Sequence, residues 1–109
     1  MSRVALGEFE HHVMLALQRL GGRAHGAPVV TELEQATGKP VSPASVFIAL
    51  RRLEQRGLTR STKHEPRRGE GGRGRRVFEL TAVGHSRLRD ARRTLEKLWE
   101  PAKPAAEAR

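Results

Sequence analysis

The stretch that most constrains the fold is Ser42–Leu80, SPASVFIALRRLEQRGLTRSTKHEPRRGEGGRGRRVFEL. It opens on Ser42-Pro43, a strong helix start. The serine hydroxyl accepts from an orphan N–H of the first turn, and proline at the first helical position has its φ already set and needs no donor. At about 100° per residue, Val46, Leu50 and Leu53 share one face, with Ala49 beside them. Ala44, Ile48, Arg51 and Gln55 fall opposite, flanked by Arg52, and Phe47 sits at the border. Gly57 is the expected stop. Leu58–His64 then reads as a strand. Residues 65–74 contain Pro66 and four glycines, which exclude regular structure. Arg75–Leu80 reads as a return strand, with Val77, Phe78 and Leu80 as its candidate buried positions. A helix with one apolar face, followed by a two-stranded ribbon with a basic tip, is the outline of a winged helix-turn-helix.

The charge is focused on the same stretch. Between Arg51 and Arg76 there are ten Lys/Arg against three acids, a net +7 of the chain's +9, while residues 1–50 are neutral. A positive field concentrated on one helix and one loop suits a polyanion. The bulk numbers narrow the class further. At 109 residues the chain is one domain with a modest core. The absence of cysteine excludes disulfides and zinc-cysteine modules and suits a reducing cytoplasm. No apolar run approaches the roughly 20 residues of a membrane span, and MSRVALGEFEHH lacks the apolar centre of a signal peptide. Cytoplasmic localisation is therefore expected.

Upstream, residues 7–20 read as a first helix. Phe9, Val13, Ala16, Leu17 and Leu20 recur at helical spacing, and Glu8 and Glu10 occupy the first turn, where the helix dipole favours anions. Gly21-Gly22 ends it. A second helix is expected from Pro28 to Thr37, with Val29, Val30, Leu33 and Ala36 facing inward and Gly38 as the stop. Downstream, Thr81 is the expected N-cap of a fourth helix. Along it Leu88, Ala91, Leu95 and Leu98 step as an a/d seam, with Trp99 beside them and Pro101 as terminator. The expected organisation is a mainly α chain with a small β-wing: a winged helix-turn-helix over residues 1–80, a C-terminal dimerisation helix over 81–100 and a flexible tail over 101–109.

These residues, in this order, resemble the PadR family of bacterial transcriptional regulators, in the short form with a single C-terminal helix. The resemblance covers about residues 5–99. It rests on LGEFEHHVMLALQRLG (6–21), Ala24-x-Gly26, Val41-Ser42 followed by Val46-Phe47, Leu50-x-Arg52-Leu53-Glu54, Gly57-Leu58, and Gly71-Gly72-Arg73 leading into Phe78-x-Leu80-Thr81-x-x-Gly84. Each piece is weak alone, and their order and spacing are fairly specific together. The resemblance implies a homodimer on a palindromic operator, the third helix in the major groove and the wing in a neighbouring one. It implies dimerisation through the fourth helix, helped by the first. It also implies repression of transcription, and release by a small aromatic or cationic effector near the dimer interface. This chain departs from the family in having no tyrosine. Relatives usually carry one where Phe47 stands, and often near Val77-Phe78 and at His25, so Phe47 has no hydroxyl to offer a phosphate. Ile48 is unusually large for the free face.

The candidate DNA-binding residues follow. On the free helix face, Ala44, Ile48, Arg51, Arg52 and Gln55 are the base-reading candidates: Arg pairs with guanine, Gln with adenine, and Ile48 meets a thymine methyl. Ser42, Ser45 and Phe47 complete the set on that helix. In the wing, Arg67, Arg68, Arg73, Arg75 and Arg76 among glycines suit phosphate or minor-groove contact. The competing readings are a solvated helix face with one stray isoleucine, a basic loop contributing charge alone, and a winged-helix module for protein or RNA. The dimer candidates are Phe9, Leu88, Ala91, Leu95, Leu98 and Trp99. The seam is short and holds an alanine, so the first helix has to contribute through Leu6, Phe9 or Met14. Trp99 is also the candidate effector wall, against the plainer reading as the closing residue of the seam. The five histidines form no dense ligand motif, so no metal or cofactor is expected. No nucleophile comes with a base and an orienting group, so no enzyme is expected either.

Overall fold

The computed structural model describes residues 5–64 and 75–105. Four helices and three strands follow one another: α1 (Glu8–Arg19), β1 (Arg23–His25), α2 (Gly26–Thr37), α3 (Pro43–Gln55), β2 (Thr59–His64), β3 (Arg75–Leu80) and α4 (Ala82–Leu98). The strands form one antiparallel sheet in the order β1-β3-β2. This is a mainly helical chain with a β-wing, as the residue pattern implied. The expected loop at 65–74 lies outside the described residues.

Local chemistry accounts for most boundaries. The Ser42 hydroxyl accepts from Ser45 N–H at 3.3 Å, and Pro43 opens α3. At the other end Gly57 takes φ +77°, a conformation that a side chain strains. Its N–H donates to the Glu54 carbonyl at 2.9 Å and that of Leu58 to the Leu53 carbonyl at 2.9 Å. These two bonds satisfy the last turn and aim the chain into β2. α1 closes the same way, with Gly21 and Gly22 donating to the Gln18 and Leu17 carbonyls. The Glu34 carboxylate accepts from Val41 N–H at 3.0 Å and fixes the α2–α3 turn.

The core lies where the helical triad meets the sheet. Val13, Met14 and Leu17 of α1, Val29 and Leu33 of α2, and Val46, Leu50 and Leu53 of α3 close over Leu58, Phe78 and Leu80. Among the described residues Thr59 is the one buried polar side chain, and its hydroxyl donates to the Leu50 carbonyl at 3.1 Å. That bond ties β2 to the helix before it.

Several expectations are corrected. β1 was not foreseen, because three residues carry no alternation. It forms where Arg23, Ala24 and His25 pair with Glu79, Phe78 and Val77 of β3, and where Gly22 O accepts from Leu80 N–H. α2 starts at Gly26 rather than Pro28, and the proline still lies in the first turn, where its missing N–H costs nothing. Ala36 is exposed rather than inward-facing. Met14 and Leu88, offered as dimer candidates, are 0% and 3% exposed within the single chain, and Leu6 packs on the core. Met14 and Leu88 have almost no surface left for a partner, whereas Leu6 is only half-buried.

α4 is held at its start. The Thr81 hydroxyl accepts from Gly84 N–H at 3.0 Å and donates to the Gly57 carbonyl at 2.7 Å, while Thr81 N–H donates to the Leu58 carbonyl at 3.1 Å. Gly84 packs so closely that a Cβ there would run into the Leu58 carbonyl oxygen. From Arg92 onward every described residue is exposed. Gly84→Ala is therefore expected to lower unfolding stability by roughly 2 kcal/mol or more, because the clash is with backbone that cannot rotate away. Urea denaturation at fixed protein concentration checks this, and an unchanged midpoint contradicts the close approach.

Candidate nucleic-acid interface

α3 has one buried and one exposed face. Val46, Ala49, Leu50 and Leu53 are buried. Ser42, Ala44, Ser45, Phe47, Ile48, Arg51, Arg52 and Gln55, the eight candidates on this helix, are all exposed. Ile48 is 50% exposed and Phe47 46%. Their side chains present one exposed apolar, hydrogen-bonding and cationic strip.

Phe47 has a partner. Its ring meets that of the buried Phe78 edge-on, with centroids 5.9 Å apart at 82°. At this border position the ring braces α3 against β3. Phe47 and Phe78 line an open cleft of about 470 Å³ with His25, Pro28, Arg75 and Arg76 at the start of α2 and the root of the wing. His25 Nδ1 lies 3.3 Å from the Arg76 carbonyl oxygen, and its ring stands edge-on to His64 at 6.2 Å.

The wing strands run from Thr59↔Leu80 to His64↔Arg75. This register sets Lys63 opposite Arg76, a like-charge pair across the ladder that is unfavourable unless one side chain turns away. Arg76 does so: its Nη1 donates to Ser61 Oγ at 2.9 Å. Arg75 is exposed at the start of β3. Arg67, Arg68 and Arg73 lie outside the described residues.

The described cations of this region divide by use. Arg60 Nε sits 3.0 Å from Glu79 Oε1 across the β2–β3 ladder. The Arg60 hydrogen bond, and then its charge, hold the Glu79 carboxyl below its ordinary value. Arg56 reaches Glu10 of α1 at 3.4 Å. Both serve the fold and have their charge offset locally. Arg51 pairs with Glu54 at 3.2 Å yet keeps 44% of its side-chain surface. Among the described cations of this stretch, Arg52, Lys63 and Arg75 are exposed and lie on the α3 outer face and the wing strands, while Arg76 is half-buried and reaches Ser61.

Two residues escaped sequence reading. Glu54 and Ser61 join α3 to β2: Ser61 N–H donates to Glu54 Oε2 at 3.1 Å and its hydroxyl to the same carboxylate at 2.8 Å. The i, i+3 spacing of Arg51 and Glu54 announced an ion pair, but nothing local announced Ser61.

At the far end of the chain, α4 exposes Leu95 (55%), Leu98 (79%) and Trp99 (81%), while Ala91 is half-buried. Leu95 and Trp99 form a shallow apolar recess with Glu96 and Glu100 at its edges. Phe9 of α1 is 39% exposed. His11 is held below its ordinary pKa, first by burial, then by His12 and Arg87. Among the described residues no three His, Cys, Asp or Glu side chains converge as a metal site requires, and no helix is long and apolar enough to cross a membrane.

Residues 14–90 match the model of the Transcriptional regulator PadR-like family. A transcriptional regulator of Mycobacterium tuberculosis is 40% identical over 74 residues, 68% of this chain and 64% of that protein. The chain thus aligns with a little under two thirds of that relative. Among solved structures, a PadR-like transcription factor from Bacteroides fragilis superposes with a TM-score of 0.70 at 23% identity, covering 83% of this chain and 82% of that one. Bacillus subtilis PadR in complex with operator DNA superposes at 0.62 and 15% identity, covering 92% of this chain and 51% of that one.

Proposed function

The chain belongs to the PadR-like family of transcriptional regulators, and from that membership we propose that it binds operator DNA as a homodimer and represses transcription. The observation that carries the reading is the uncovered face of α3, with Ile48, Arg51, Arg52 and Gln55 exposed beside the cations of the wing root. α3 fits the major groove, where Arg and Gln pair with base edges and Ile48 meets a thymine methyl. Arg75 and Arg76, with Arg67, Arg68 and Arg73 of the wing, neutralise neighbouring phosphates or enter the minor groove. Ser42 and Ser45 at the start of α3 approach the backbone. The operator-bound Bacillus subtilis structure has the same fold and offers the docking geometry by analogy.

Dimerisation uses α4. Ala91, Leu95, Leu98 and Trp99 form an apolar strip that extends beyond the domain's own core, and Phe9 of α1 adds to it. A two-fold dimer sets its two α3 helices one helical turn of DNA apart, about 34 Å, and so asks for a palindrome. Trp99 supplies a flat wall for a small aromatic or cationic effector, with Glu96 and Glu100 favouring a cation. The cytoplasm is where such a regulator meets DNA. Residues 1–80 carry DNA recognition and 81–100 carry association.

Selection of genomic fragments with the purified protein should recover one palindromic sequence. If each subunit neutralises about three to five phosphates, the log–log salt dependence of binding has a slope of roughly −5 to −9. No duplex binding at low salt removes the reading, and a preference for RNA moves the chain to another class.

Gln55→Ala is expected to relax preference at particular base pairs by about 1–3 kcal/mol, whereas Arg75→Ala weakens all sequences alike and flattens the slope. Fragment-resolved affinities separate the two outcomes.

Leu95→Glu is expected to yield a monomer with reduced operator affinity, since each half-site then binds without its tethered neighbour. An intact dimer in sedimentation contradicts the α4 interface.

A further inference from the structure

Glu54 stands in the last turn of α3 and gathers three donors on one carboxylate. Arg51 Nη1 lies 3.2 Å from Oε1, Ser61 N–H 3.1 Å from Oε2, and the Ser61 hydroxyl within 2.9 Å of both oxygens. Ser61 Oγ in turn accepts from Arg76 Nη1 at 2.9 Å. Donor polarity is consistent throughout. A guanidinium only donates, a serine hydroxyl accepts and donates once each, and a carboxylate only accepts. The relay therefore runs from Arg76 through Ser61 to Glu54, where Arg51 joins it. Ser61 N–H is free for this because β2 is an edge strand of the β1-β3-β2 sheet, with alternate amides pointing away from β3. One of them is spent on a side chain of the neighbouring helix rather than on water.

We infer that Glu54 is a positioning residue for DNA recognition, holding Arg51 of α3 and Arg76 of the wing as one two-cation unit. The inference rests on the DNA-binding reading given above and deepens it. The two guanidiniums come from different elements and, as like charges gathered about one carboxylate, repel each other. One carboxylate between them reduces the cluster to a single positive charge and lets both stay at the junction of helix and wing. Glu54 and Arg51 keep 28% and 44% of their side-chain surface, so solvent screens the pair and its contribution to stability is small. Its effect is geometric. α3 and the wing meet the duplex at a set angle, and Arg51 approaches its base or phosphate from one direction. Loose cations would still attract DNA, but they would not hold the register on which base readout depends.

The charge and the geometry can be pulled apart. Glu54→Gln adds one positive charge per subunit while removing the clamp. Affinity for random duplex DNA should be equal to or above wild type, and the ratio of operator to random affinity should fall about tenfold, the worth of one well-placed base contact. Ser61→Ala breaks the relay in the middle without changing charge. It should lower the same ratio while leaving random-DNA affinity at the wild-type value, and it decides the matter alone if Glu54→Gln does not fold. In an Arg51→Ala background Glu54→Gln should lose little further discrimination, because the two act through one unit. Amide hydrogen exchange at Ser61, read without DNA, should quicken in Glu54→Gln.

Wild-type ratios in both single variants overturn the inference. So does a parallel loss of operator and random affinity with a lowered unfolding midpoint, which marks a residue that merely supports the fold. Failure of the wild type to prefer any operator removes the DNA-binding reading itself, and the inference with it, and is distinguished by appearing before any substitution.

Discussion

The close approach of α4 to the turn after α3 is the contact on which the arrangement depends. Gly84 lets the helix backbone descend onto the Leu58 carbonyl, and Thr81 spends its hydroxyl on Gly84 and Gly57 at once. Those bonds satisfy backbone groups at the end of one helix and the start of another. The same corner places Leu58, Thr59 and Leu80, and through them the paired strands of the wing. With α4 fixed at its first turn and uncovered beyond Arg92, its apolar strip is presented away from the core. The exposed face of α3 and the exposed apolar strip of α4 are thereby attached to one corner.

Charge is distributed by the same logic. A small domain with a net charge of +9 repels itself, and the fold reduces that cost where the charge is not needed. Arg56 is offset by Glu10 and Arg60 by Glu79, both away from the outer face of α3. Within the described part of the Arg51–Arg76 stretch, the exposed Arg52, Lys63 and Arg75 lie along that face and the wing strands. Phe47 contributes in a different way: lacking a phenolic oxygen, it holds α3 to β3 through an edge-on contact with Phe78. The position therefore contributes through packing.

Much of this was legible in the residues. The caps at Ser42 and Thr81, the glycine at 57 and the split between the faces of α3 follow from local rules of hydrogen bonding and helical periodicity. The site was legible as a face but not as a connected set. Arg51 was readable as an exposed cation, yet its link to Arg76 through Glu54 and Ser61 crosses from a helix to an edge strand. β1 was unreadable for a similar reason: three residues become a strand only because β3 has an unpaired edge for them to join. Leu88 stood in register with Leu95 and Leu98, but periodicity cannot say where a helix leaves its own domain. The body of the protein covers Leu88 and stops short of Leu95.

By itself the sequence determined the class of fold, the identity of the exposed helix face and the place where positive charge accumulates. Each depends on groups within a few turns of one another, and short-range sterics and periodicity settle such matters. The tertiary structure alone decided how that charge is spent, which seam residues the core consumes, and that a single carboxylate joins α3 to the wing. Those outcomes depend on pairs far apart in the chain, such as Arg56 with Glu10 and Arg76 with Ser61. Their proximity is a consequence of packing, which no local pattern encodes.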